Sequence, residues 1–129
     1  MKYMLLVYMD EKAMNESERE DCHAESVRLA QDIHDRGKYL SASPLQPVAT
    51  ATSLRIRNGR SLITDGPFAE TREQLGGFFL IDAKDLDDAL RIASRIPAAR
   101  KGTIEVRPLR ELPGLPWGMA NSKEDLTNS

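Results

Sequence analysis

The run Tyr3-Met4-Leu5-Leu6-Val7-Tyr8-Met9 is apolar at every position. A strand with one wet face alternates apolar and polar side chains, so an unbroken run of this kind is read as a strand covered on both faces and central in its sheet. Phe78-Phe79-Leu80-Ile81, released by Gly76-Gly77, has the same character. Two such strands, far apart in the chain, call for a sheet with material on both sides, and the segments around them decide what that material is.

Polar residues 10–14 turn the chain out of the first run. Asn15 followed by Glu18 fits a capping box, in which the Asn side chain accepts a free backbone N–H and the Glu side chain reaches back. A helix is expected from there to about Arg36. Cys22, Ser26, Leu29 and Ile33 mark its core face, Val27 and Ala30 widen it, and Gly37 supplies a left-handed terminator. Tyr39 to Ser43 reads as a strand broken by Pro44 and Pro47. Leu54-Arg55-Ile56-Arg57 alternates with period two, and Asn58-Gly59 predicts a type I′ hairpin joining residues 53–57 to 60–64, because both turn residues tolerate positive φ. Asp65-Gly66-Pro67 ends the ribbon, and Glu70 to Leu75 is expected to make one or two helical turns. Asp85 and Asp88 then open a second helix with the stripe Leu86, Ala89, Leu90, Ala93 and Ile96, stopped by Pro97. In the last strand, Thr103-Ile104-Glu105-Val106-Arg107, Ile104 and Val106 face one way and Glu105 and Arg107 the other. From Arg110 the chain has no apolar period, so a domain over 1–109 is expected to carry residues 110–129 as a C-terminal arm or flexible tail.

The order β, α, β, hairpin, β, α, β is that of an α+β fold, a ferredoxin-like sandwich with an antiparallel sheet and an inserted β-hairpin. Both helices then cover one sheet face, and the other face keeps much of the apolar set of residues 3–9 and 78–81. At roughly 25 cal/mol per Å², leaving even about 400 Å² of it wet forgoes about 10 kcal/mol, comparable with a whole domain's stability. A homodimer that encloses this face, a dimeric α+β barrel, is the expected remedy.

The 129 residues carry 18 Lys+Arg against 20 Asp+Glu, a formal charge of −2. That balance removes the bulk attraction that draws basic proteins to nucleic acid or anionic membranes, and neither is expected as a partner. The single Cys22 rules out an internal disulfide and a multi-thiolate zinc site. The N-terminal apolar run is too short for a membrane span and lacks a small-residue cleavage site, so the expected location is cytoplasmic. There is no Gly-Lys-Ser/Thr phosphate loop, G-x-G-x-x-G, G-x-S-x-G or HExxH, and neither a cofactor nor a metal is expected.

The densest segment is Asp65-Gly66-Pro67-Phe68-Ala69-Glu70-Thr71-Arg72-Glu73, followed by Leu75-Gly76-Gly77-Phe78 and, later, Glu105-Val106-Arg107-Pro108. Over about residues 1–109 this pattern resembles the YCII-related family, in the branch that carries a DGPF motif, with Arg72 where that branch usually has Lys. The resemblance implies a dimeric α+β barrel and no assigned reaction. It also implies, as an alternative, a role beside extracytoplasmic-type sigma factors. A catalytic role in the wider family is inferred from a His and an Asp in the dimer cleft. Here His23 stands about one helical turn from that histidine's place, and Ser26 is nearer.

Several side chains are candidates for chemistry, each with a plainer role beside it. Glu70 and Glu73, at i and i+3, share a face if their segment is helical, and close like charges disfavour joint ionisation, which suits a general acid or base. They serve equally to shape a loop. Asp65 is a further candidate acid, or an Asx-turn residue. Glu105 and Arg107 face the expected dimer interior, where Arg107 offers its fork to a ligand carboxylate or pairs with Glu105 to fix register. Tyr8 adds a hydroxyl to the same space, and Phe68 an apolar ligand contact. His23 is an outside candidate base. His23 and His34 lie about 16 Å apart along one helix and cannot share a metal within one chain. The expectation is a homodimer holding an unidentified small molecule, with metal-independent acid–base chemistry; the alternative is a non-catalytic regulatory module acting with a sigma factor or other transcription protein.

Overall fold

A computed structural model describes residues 1–116. Its elements are β1 (Lys2–Met9), α1 (Glu16–Asp35), β2 (Tyr39–Pro44), β3 (Thr52–Arg57), β4 (Arg60–Asp65), β5 (Gln74–Asp82), α2 (Leu86–Ala93) and β6 (Thr103–Pro108), with 3-10 turns at Glu11–Ala13, Val48–Thr50 and Pro97–Arg100. The fold is α+β. Four strands form an antiparallel sheet in the order β2-β5-β1-β6, so the two apolar runs are its central strands, while β3 and β4 form a separate two-stranded ribbon.

Local chemistry sets the boundaries. Asn15 Oδ1 accepts from Glu18 N at 2.8 Å and Glu18 Oε1 accepts from Asn15 N at 3.1 Å, closing the capping box. Gly37 ends α1 at φ 75°, and Asn58 and Gly59 turn the ribbon at φ 53° and 75°. Gly102 has a different task. A Cβ there would stand 2.0 Å from the Tyr8 carbonyl oxygen, so only glycine lets the start of β6 approach β1 this closely.

Both helices cover the same sheet face. Tyr3, Leu5, Phe79 and Ile81 from the central strands are buried in one cluster with Leu29 and Ile33 of α1 and Ala89 and Ile92 of α2. The opposite face carries Met4, Leu6, Tyr8, Phe78 and Leu80, which the registers place beside Arg107, Glu105 and Thr103 of β6. Neither helix joins that face, so the expectation that β1 and β5 are covered on both sides is met on one side within a single chain.

Two sequence expectations are corrected. Residues 70–73 are not helical, and β5 begins at Gln74, taking Gly76 and Gly77 into its ladder. Thr71 Oγ1 donates to the Glu73 carbonyl at 2.6 Å and Gln74 Nε2 to the Thr71 carbonyl at 2.6 Å, so side chains take the backbone acceptors a helix needs. In α2 the buried line runs through Asp88, Ala89, Ile92 and Ala93, leaving Leu86 and Leu90 half exposed. Asp88 turns inward because Lys38 meets it: Lys38 Nζ lies 2.7 Å from both carboxylate oxygens.

The ribbon has two faces. The register puts Leu54, Ile56 and Ile63 on one, at 60, 62 and 69% exposure, and Arg55, Arg57 and Arg60 on the other. Its strands pack chiefly on each other. Residues 110–116 are exposed and irregular, and the rest of the expected arm lies outside the described residues. Among the described residues no helix is long and apolar enough to cross a membrane.

Candidate functional site

The stripe on α1 explains the main cavity. Leu29 and Ile33 are large and buried, so the second half of the helix lies against the sheet. Cys22 and Ser26, ahead of them, and Ala30 beside them are small, and these three line the cleft together with Ala42, Ser43 and the Gly76-Gly77 pair. Small side chains on both walls leave space between helix and strand, and the result is a cleft of about 1060 Å³, at the upper end of the size usual for ligand sites. Gly77 also holds the floor in place: a Cβ there would meet the Ser43 carbonyl at 3.0 Å and Pro44 Cα at 3.2 Å.

The floor is apolar, built from Val7, Met9, Ala42 and Phe79, whereas the α1 wall brings Arg19, His23 and Ser26 on successive turns. His23 has no hydrogen-bond or ion-pair partner among the described residues. Cys22 Sγ lies 3.7 Å from Met14 Sδ, and burial pushes its thiol above the ordinary value, which keeps it protonated and poorly nucleophilic at neutral pH. At the far end of the helix, His34 packs edge-on against Tyr39, with ring centroids 6.0 Å apart. One rim is fixed by Glu11: its Oε2 accepts from Val48 N at 3.0 Å and its backbone N donates to Gln74 Oε1 at 2.9 Å.

Of the sequence candidates, His23 alone lines this cleft. Tyr8, Glu105 and Arg107 come together on the sheet face away from the helices, as their alternation predicts. Glu73 joins that edge, accepting from Thr103 Oγ1 at 2.8 Å. Among the described residues no ion pair links Glu105 to Arg107. Asp65, at the end of β4, and Phe68 and Glu70, on the segment after the ribbon, lie elsewhere and are exposed, with Phe68 at 79% exposure. Without a helix at 70–73, Glu70 and Glu73 do not form the face-sharing pair. Gly66, not an Asx-turn at Asp65, ties off the ribbon: its N–H donates to the Ala51 carbonyl at 2.7 Å and its carbonyl accepts from Ser53 Oγ at 2.8 Å.

Carboxyls that move from their ordinary values all move down. Lys101 does this to Glu18, Arg100 to Glu25, Arg95 to Asp32 and Lys38 to Asp88. Three of these pairs, at Glu18, Glu25 and Asp32, tie α1 to residues that follow α2. They are structural ties. Among the described residues, no group of three or more His, Cys, Asp or Glu side chains is placed to hold a metal.

Sequence reasoning placed Cys22 and Ser26 on a continuous core stripe and so missed the cleft. The signal was the size of those residues, two small side chains ahead of Leu29 and Ile33, together with the glycine pair in the facing strand.

The sequence matches the YCII-related domain over residues 1–113. It is 41% identical over 118 residues to the uncharacterized protein R00369 of Rhizobium meliloti (strain 1021), an alignment that covers 84% of this chain and 92% of that protein. The match to the domain over most of its length, with a relative this similar, shows that the chain belongs to the YCII-related family.

Proposed function

We propose that this protein binds a small organic molecule in the cleft between α1 and the sheet, with His23 as the group able to move a proton there. The cleft itself is the observation that carries this reading: about 1060 Å³, an apolar floor, and polar groups gathered on one wall, the arrangement by which pockets combine burial with orientation. An imidazole can both accept and donate a proton, the capacity that general acid–base catalysis asks of a side chain. Ser26 offers a hydroxyl one turn further on, and no step requires a metal or nucleotide.

In this reading the chain is a ferredoxin-like protomer of the DGPF branch. The strand order supports the first point and Asp65-Gly66-Pro67-Phe68 the second. Two copies meet through the sheet face that bears Met4, Leu6 and Phe78 to form a dimeric barrel. Tyr8, Glu73, Glu105 and Arg107 then serve at the seam, where Arg107 and Glu105 of each copy find partners.

A thermal-shift screen of metabolites against the full chain tests the binding site, because a ligand that binds only the folded state raises the apparent melting temperature by mass action. Hits are expected to disappear in Ser26→Phe, which fills the cleft from an α1 position outside the buried cluster. Hits that persist unchanged in this variant would place the ligand elsewhere.

A second reading has one feature in its favour. The bare Leu54-Ile56-Ile63 face of the ribbon suits attachment to another protein, which a regulatory module acting with a sigma factor requires.

A further inference from the structure

The charged groups at the α1-start end of the cleft differ in how far their hydrogen-bonding capacity is used. There each acid accepts one backbone N–H: Asp10 Oδ1 from Lys12 N at 2.9 Å, and Glu11 Oε2 from Val48 N at 3.0 Å. Arg19 is not so engaged. It makes no ion pair among the described residues, and its guanidinium has a single long hydrogen bond, from Nη2 to the Glu11 carbonyl at 3.4 Å. A guanidinium offers five N–H donors in a planar fork, so most of them have no protein partner among the described residues and face the solvent at the rim of the cleft. One turn along the helix is the unpartnered His23.

We propose that the ligand is an amphipathic monocarboxylate, an acyl or aryl carboxylic acid. Its apolar body lies on Val7, Met9, Ala42 and Phe79, and its carboxylate takes the fork of Arg19 with His23 beside it. The inference rests on the cleft being the binding site and adds the class of ligand. A carboxylate fits the fork bidentately and brings one charge to one permanent cation. A phosphate monoester brings nearly two charges and no second permanent cation lines the cleft. An uncharged alcohol of the same body gains the floor and leaves the fork unfilled.

Three probes with one alkyl chain separate these contributions: decanoate, decanol and decylamine, titrated into the full-length protein at neutral pH. Decanoate is expected to bind about tenfold more tightly than decanol, and decylamine least. Arg19→Gln should bring decanoate to the level of decanol while leaving decanol unchanged, because Arg19 is exposed and outside the core, so its loss does not disturb the floor. Amide shifts in an isotope-labelled sample should localise to α1 and β5 for decanoate and decanol alike. Equal affinity of decanoate and decanol in the wild type, both lost in Ser26→Phe, overturns the carboxylate inference and leaves the cleft standing. So does a preference for decylamine. Binding of all three that Ser26→Phe does not alter overturns the cleft reading as well.

Discussion

Asp88 is 6% exposed and carries the charge buried in the described core. Its carboxylate takes Lys38 Nζ at 2.7 Å on each oxygen, the backbone N–H of Lys84 at 2.9 Å, and Arg91 at 3.8 Å. Asp88→Ala strands the Lys38 ammonium and leaves the Lys84 N–H without its acceptor. Breaking a fully buried pair costs about 3–5 kcal/mol. Here the Lys38 side chain is 33% exposed and can turn toward water, which lowers that to about 2 kcal/mol, and the lost acceptor adds about 1. A total of about 3 kcal/mol corresponds to a fall of about 10 °C in melting temperature for a domain of this size. Urea unfolding of Asp88→Ala, Lys38→Met and the double variant measures it. The double variant should be less destabilised than the sum of the singles, since each single leaves one lone charge and the double leaves none. The pH dependence has a definite sign. Lys38 holds the Asp88 carboxyl below its ordinary value of 3.8, so the native state releases this proton at a lower pH than the unfolded chain does. The contribution is complete above the unfolded value and is lost as pH falls through the native one, and Asp88→Asn should flatten the acid limb there. An Asp88→Ala variant within about 0.5 kcal/mol of wild type, or strictly additive singles, refutes the reasoning.

Gly102→Ala should destabilise by about 2 kcal/mol or more, read by calorimetry, because its Cβ would stand 2.0 Å from the Tyr8 carbonyl oxygen and the backbone of β6 must move away. Asn15→Ala should cost about 1 kcal/mol in urea unfolding through loss of the cap, and Asn15→Ser should restore most of it. If two copies meet through the sheet face that bears Met4, Leu6 and Phe78, light scattering should give twice the chain mass for the wild type and one chain mass for Leu6→Lys; an unchanged mass for that variant would refute this interface. Within residues 1–109, limited proteolysis should cut first at Asn58-Gly59, leaving the sheet and helices intact, because the ribbon packs chiefly on itself.

What the sequence made legible were the features whose cause is local. Asn15 with Glu18, Asn58-Gly59 and the alternation of Ile104 and Val106 each fix geometry within a few residues, and each reappears as read. The central placement of β1 and β5 followed from their apolar runs. What was not legible depended on partners distant in the chain. The inward turn of Asp88 requires Lys38, fifty positions away, and without it the leucines at 86 and 90 look like the better core. The segment at 70–73 has helix-compatible residues, and only the bonds of Thr71 and Gln74 to backbone carbonyls decide against helix. The carboxylates in the motif drew attention to chemistry, whereas the cavity formed where side chains are smallest. A void has no residue of its own to announce it.

Among the described residues the ribbon of β3 and β4 is closed at its root by Gly66, which bonds to Ala51 and Ser53, and its strands pack chiefly on each other. Replacements along its length are therefore nearly decoupled from global unfolding, so its apolar and basic faces are free to diverge among relatives while sheet and helices stay constant. If the cleft binds the ligand proposed above, a few surface substitutions on the projecting finger would alter what it touches without altering that ligand chemistry.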